Sequence, residues 1–302
     1  MPIDLVRLAL NGPTMGTRWS VIAFAPDGTD ARALAERLAA AVNAVDAQMS
    51  TYKPQSQLMQ LNAAPPGVWQ NVPAPLAEVL EAGLAVSRAS GGAFDMALGA
   101  LVDAWGFGPS GTAPDAARVA VAAAPVPALE ALEVDRAGCR VRKLRPVTLD
   151  LNGIAKGYGV DCLALALEAE GITRYLVSID GEVRAGAPKP DGTPWGVAVE
   201  KPDPGRRETE GVVPLVGSAL ATSGDYRHRI AWQGREISHT LDPATGQPLT
   251  NAVAAATVLA PTCMLADAWA TVMMVVGPER GEALAAQNGL KVLFALRDAS
   301  PA

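Results

Sequence analysis

Cysteine and histidine are scarce in this chain. Its 302 residues hold three cysteines, Cys139, Cys162 and Cys263, and two histidines, His228 and His239. Three thiols so far apart form no disulfide framework, and no CxxC spacing suggests zinc. Buried free thiols are the expectation. A site of two or three histidines would need both imidazoles, so a metal here would rest on oxygen ligands. Charge is sparse as well, at 19% of residues, and a net charge of −6 leaves no nucleic-acid footprint. No block of like charge forms a tail or anchor. No apolar run is long enough to span a bilayer. The opening residues, Met1 to Leu8, carry an acid and lack the apolar core of a signal peptide. The expected location is the cytoplasm, or the periplasm for a chain that has lost an upstream leader.

Apolar residues are plentiful, at 49%, so the chain is globular. Helical periodicity predicts helices over 30–49 and over 75–90, and, after a glycine-rich turn, one marked by Val160, Leu163, Ala164 and Leu167 that ends at Gly171. Pro75 suits a helix start, and Gly91-Gly92 suits its stop. Strands are predicted at 147–151, 175–179, 195–200, 212–216, 253–259 and 291–296. A hairpin over 230–240 turns at Gln233-Gly234-Arg235. The Ala- and Pro-rich stretch 113–127 reads as a surface excursion. Helices and strands do not alternate regularly. The expected class is therefore α+β, with mixed or antiparallel sheets and packed helices.

One acid is out of place. Asp267 lies in the run Cys263-Met264-Leu265-Ala266-Asp267-Ala268-Trp269-Ala270-Thr271-Val272-Met273-Met274-Val275-Val276, which is otherwise free of charge. Hydrophobic on every side, the run reads as a buried helix. Thr271 projects from the same face, one turn on. Two hard oxygens on a rigid element suit Mg²⁺, which often takes one or two protein carboxylates and completes its shell with phosphate and water. Taken alone, the segment also fits a protonated core Asp beside an ordinary helical Thr.

Two further segments could carry chemistry. Leu149-Asp150-Leu151-Asn152-Gly153-Ile154-Ala155-Lys156-Gly157-Tyr158-Gly159-Val160-Asp161 reads as strand, glycine turn and helix start. Backbone N–H groups there can bind phosphate, with Lys156 adding charge. Neither the Walker spacing nor GxGxxG is present, and a plain packing turn fits equally. In Ser238-His239-Thr240-Leu241-Asp242-Pro243-Ala244-Thr245-Gly246, His239 ends a strand beside strong turn chemistry. An imidazole of ordinary pKa, about 6.5, can take a proton from a hydroxyl, though such a histidine is often only a hydrogen-bonder. Ala221-Thr222-Ser223-Gly224 reads as a polar loop.

Taken in order, seven segments resemble the ApbE-like family, the FAD:protein FMN transferases. They are MGT at Met15, MSTY at Met49, SGGAFD at Ser90, LDLNGIAKGYGVD at Leu149, ALATSGDY at Ala219, SHTLDPATGQPL at Ser238 and LADAWATVMMVVG at Leu265. The resemblance implies one domain over residues 1–302, or two subdomains flanking the site. It implies Mg²⁺-dependent transfer of FMN from FAD to a Thr or Ser hydroxyl of a client flavoprotein, with release of AMP. Clients would be flavin subunits of quinone-reductase or related electron-transfer type. The metal ligands would be Gly153 through its carbonyl, Asp267 and Thr271. FAD contacts would be Met15, Tyr52, Ala93, Phe94, Asp95, Asp150, Lys156 and Leu241, with His239 activating the acceptor. FAD hydrolysis to FMN and AMP, or non-catalytic FAD carriage, remain as alternatives. The family's Gly-Gly-Asp turn appears here as Asp180-Gly181-Glu182, and Asp tolerates the left-handed conformation that keeps such a turn. Where some members add an Asp before the metal-binding Thr, this chain has Ala270.

Overall fold

The computed structural model describes residues 4–122, 125–203, 205, 208–226 and 229–297. His228 lies outside the described residues. The chain opens with a hairpin that the sequence reading did not foresee, β1 (Leu5–Thr14) and β2 (Thr17–Pro26). Its turn is Met15-Gly16, with φ of 46° and 72°. Two positive φ values in a two-residue loop match the twist of the strands they join. Helix α1 (Ala31–Met49) follows, capped by the Asp30 carboxylate, which accepts from the N–H groups of Arg32 and Ala33. Next come α2 (Gln57–Ala63), β3 (Trp69–Asn71), α3 (Ala74–Ser90) and α4 (Gly99–Ala104). Helix α3 ends on left-handed Gly91, as its glycine pair predicts. The expected surface excursion contains a short helix, α5 (Ala116–Ala122), on which Val121 is exposed and Val119 buried.

Helix α6 (Ala128–Ala131) leads into β4 (Leu132–Asp135) and β5 (Arg140–Lys143), which form a small sheet with β3. Helix α7 (Ala155–Ala169) precedes the hairpin β6 (Arg174–Ile179) and β7 (Glu182–Ala185). Strands β8 (Trp195–Glu200) and β9 (Thr209–Leu215) pair with each other. Strand β10 (Ser218–Gly224) is followed by the expected hairpin, β11 (Arg229–Trp232) and β12 (Arg235–Ser238). Strand β13 (Val253–Ala260), helix α8 (Cys263–Gln287) and β14 (Lys291–Leu296) close the fold. The α8 segment kinks at Gly277, whose φ of 73° precedes Pro278.

A seven-stranded antiparallel sheet, ordered β1-β2-β6-β7-β10-β13-β14, organises these elements. Alternation sets its two faces. Trp19, Val21 and Ala23 of β2 and Tyr175, Val177 and Ile179 of β6 pack on Leu34, Leu38 and Val42 of α1 and on Val160 and Leu163 of α7. Ile22, Phe24 and Leu176 face the other way, toward Trp195, Val197 and Leu215 of the β8–β9 hairpin. Helix α8 packs between the β10–β13 end of the sheet and helices α3 and α7. The α+β expectation is met. Among the described residues, no helix is long and apolar enough to cross a membrane.

Residues 147–151 are not a strand. Their backbone groups bond to scattered partners instead of a ladder. The Asn62 amide accepts from the Leu149 N–H at 2.7 Å and donates to its carbonyl at 3.0 Å. The Asp150 N–H donates to the Met96 carbonyl at 2.8 Å. Strand-like composition is satisfied here by an extended segment clamped by a side chain. Conversely, the predicted polar loop at 221–224 is the second half of β10, paired with β13, while Ser218 to Leu220 also pair with β7.

Helices α7 and α8 cap each other. The Asp267 carboxylate of α8 accepts from the Gly157 N–H in the first turn of α7, at 2.9 Å. The Asp161 carboxylate of α7 accepts from the N–H groups of Cys263 and Met264, which open α8, both at 2.9 Å. First-turn amides have no intrahelical partner, so each acid serves two needs, its own burial and its neighbour's helix end. Arg184 of β7 donates to Asp161 at 2.8 Å and completes its pairing.

Candidate active site

The α7–α8 contact gathers the metal and phosphate candidates. Asp267 is 4% exposed, and burial, reinforced by the Glu182 charge, pushes its carboxyl up to about 7. Lys156 and the Gly157 N–H pull the other way. Lys156 donates to Glu182 at 2.8 Å and lies 3.7 Å from Asp180. Burial works against its ammonium, but Glu182, Asp267 and Asp180 outweigh burial and hold its pKa above the usual lysine range. The expected left-handed turn is present, with Asp180 at φ 55°. One ammonium thus faces three carboxyl groups. A diphosphate would be repelled from such a site unless a divalent cation came with it.

Thr271 sits one turn beyond Asp267. Its hydroxyl donates toward the Asp267 carbonyl at 3.5 Å and lies 3.4 Å from the Ser223 hydroxyl of β10. Gly153 reaches the same place, since a Cβ built there would stand 3.0 Å from Thr271 Oγ1 and 3.2 Å from the Phe94 ring. Met15, on the β1–β2 turn, comes within 3.1 Å of a Cβ built at Gly159. Phe94, Gly153 and Thr271 are therefore neighbours, with Asp267 one turn from Thr271, while Met15 rests on α7 three residues beyond Lys156. Their donors fit Mg²⁺: a buried carboxylate, a hydroxyl on the same helix face and a side-chain-free backbone against it. Among the described residues, no three His, Cys, Asp or Glu groups converge as a metal cage.

Of the remaining candidates, Asp150 lines a neighbouring cleft of about 620 Å³, whose walls also include Thr51, Asn62, Asp103, Arg118 and Leu149. Burial raises the Asp150 pKa, partly offset by the Asn152 N–H. Burial, then the charges of Asp150 and Asp103, raise that of Tyr52. The Tyr52 hydroxyl donates to the Phe107 carbonyl at 3.3 Å, and the Phe107 ring meets His239 edge-on at 6.2 Å. Leu241 packs with Leu98, Leu101 and Trp105. Ala93 is buried. Asp95 is committed to the fold: it accepts from the N–H groups of Ala97 and Ala128 and so caps α6. The segment 149–153 joins the two groups, with Asp150 at the cleft and Gly153 beside Thr271.

Residues 15–294 match the model of the ApbE family. The chain belongs to the ApbE family. It is 36% identical over 295 residues to the FAD:protein FMN transferase of Klebsiella pneumoniae (strain 342), spanning 96% of this chain and 84% of that one. With the FAD:protein FMN transferase of Vibrio cholerae serotype O1 (strain ATCC 39541 / Classical Ogawa 395 / O395) the identity is 35% over 303 residues, covering 96% and 88%. The apo crystal structure of the Pseudomonas stutzeri flavinyl transferase ApbE superposes with a TM-score of 0.87 at 38% identity, covering 99% of this chain and 94% of that one. The ApbE fold of this chain also uses residues that the sequence did not single out for the site. Asn62 clamps the Asp150 segment, and its signal was no more than a polar residue in a short helix. Ser223, which the sequence did place in a polar loop able to contact a phosphate, adds a hydroxyl beside Thr271. Glu182, an acid opening the short strand β7, is the charge partner of Lys156.

Proposed function

We propose that this chain transfers FMN from FAD to a Thr or Ser hydroxyl of a client flavoprotein, with Mg²⁺ as cofactor. The observation that carries this is the meeting of Lys156, Asp267, Thr271 and Gly153 at the α7–α8 contact. The family membership and the names of the relatives support it. Gly153, Asp267 and Thr271 would hold the cation through oxygen. When bound, Mg²⁺ neutralises the diphosphate and makes its phosphorus more electrophilic. Lys156 orients the phosphates by its charge. His239 takes the proton of the acceptor hydroxyl. That oxygen forms a bond to the FMN phosphorus, and the bond to AMP breaks with its electron pair on AMP. Tyr52, Met15 and Phe94 offer aromatic and thioether surface to the flat rings of FAD.

Incubation with FAD, Mg²⁺ and an acceptor domain should yield AMP and a flavin-labelled acceptor band. AMP without the band would mean hydrolysis, and bound FAD without AMP would mean a carrier. His239→Ala should slow acceptor labelling by about 100-fold or more while FAD binding changes little. Labelling at the wild-type rate would remove His239 as the base.

The raised Asp267 pKa has a signed consequence. A carboxyl raised in the fold stabilises below its unfolded value, about 4, and loses that contribution as pH climbs through about 7. Below that point a cation must displace a proton from Asp267. Mg²⁺ should therefore raise the melting temperature more at pH 8 than at pH 6. Equal increments at both pH values, in melts with Mg²⁺ and with EDTA, would contradict the assignment.

A further inference from the structure

Glu182 has no part in the transfer just described. It is 3% exposed and opens β7, paired across the Asp180-Gly181 turn with Ile179. One carboxylate oxygen accepts from Lys156 at 2.8 Å. The other, Oε2, is buried with no hydrogen-bond partner. Folding alone gains little from this arrangement. A buried carboxylate with an unmet oxygen lowers stability, and a buried ion pair is often replaceable by apolar side chains without loss. What the arrangement does provide is the location of a charge.

Lysine carries its ammonium on a flexible four-carbon stem. Lys156 leaves the second position of α7, and its side chain is one-third exposed, so water could draw it outward. Asp267 acts on it through charge, while its Oδ2 already accepts from the Gly157 N–H. Asp180 is farther away, at 3.7 Å, and its side chain is 59% exposed. Glu182 is the buried acceptor that fixes the ammonium beside the amides opening α7. We infer that Glu182 is a positioning residue for the transfer, holding Lys156 in place before the diphosphate arrives. This rests on the reading of Lys156 as a phosphate-binding group.

A double-mutant cycle on AMP release and acceptor labelling tests the inference. Glu182→Leu should lower kcat about 20-fold in the wild-type background, because placement is lost. In a Lys156→Met background the same substitution should cost less than about twofold, since there is no ammonium left to place. Glu182→Gln keeps an acceptor oxygen and should restore most of the kcat lost in Glu182→Leu. The Lys156→Met, Glu182→Leu double variant should melt at or above the wild-type temperature. Equal losses in both backgrounds would overturn the inference, as would a double variant that melts well below wild type, which would mark Glu182 as structural. A Lys156→Met variant with wild-type kcat/KM would instead remove the phosphate-binding reading on which the inference stands.

Discussion

Asp267→Asn is expected to lower Mg²⁺-dependent turnover by about 100-fold or more while shifting the melting temperature by no more than about 3 °C. The two effects separate because Asp267 has two tasks. Its Oδ2 accepts from the Gly157 N–H at 2.9 Å, and an amide oxygen can take over that bond. An amide cannot supply the negative charge a cation needs. Removing the charge also relieves the repulsion from Glu182. Asp267→Ala should differ, losing turnover and stability together, because the first turn of α7 then has an unpaired buried amide. Rates of AMP release and thermal melts on the two variants decide the matter. Full turnover in Asp267→Asn would mean that the acid is only a helix cap.

Gly157→Ala should be strongly damaging. A Cβ there would stand 2.3 Å from the Cys263 carbonyl oxygen and 2.7 Å from Asp267 Cβ. The first of these is backbone and cannot swing aside. Helices α7 and α8 must part, and the Asp267–Gly157 and Asp161–Cys263 hydrogen bonds stretch with them. A loss of about 3 kcal/mol is expected, although alanine is favoured over glycine in a helix by about 1 kcal/mol. Turnover should fall as well, since Thr271 and Asp267 move away from Gly153 and Lys156. Gly159→Ala is the control. Its Cβ would meet only the ends of the Ile179 and Met15 side chains, at 3.0 and 3.1 Å, which can yield. Urea unfolding of the pair should show a large loss at 157 and little change at 159.

The long helices were legible in the sequence because their apolar spacing and their punctuation agree. Asp30 before α1 and Gly91 after α3 act as their residue types predict. The strand β10 was not legible. Its residues, Ser218 to Gly224, are small and hydroxylated because α8 packs against that part of the sheet, and the same composition serves an ordinary loop. The error at 147–151 is the converse, since apolar alternation says nothing about whether the partner is a strand or the side chain of Asn62. In the site, the glycine turn with Lys156 and the buried Asp267 could be read one by one. Their convergence could not, because it depends on the crossing of two helices more than 100 residues apart in sequence, as the bond from Gly157 to Asp267 shows. Glu182 was hidden for a related reason. An acid at the start of a short strand gains meaning only when the β6–β7 turn carries it to Lys156.

The mutual capping of α7 and α8 bears on how this protein can vary. Both acids are met by main-chain amides, at Gly157 and at Cys263 and Met264, and every residue type except proline offers the same amide. Asp161 therefore does not choose the side chains opposite it, which answer to packing alone, as at buried Cys263, and no compensating pair of substitutions should link position 161 with 263 or 264. Position 157 is held by space instead of by chemistry. A search for correlated changes would pass over the contact that sets the spacing of the whole site.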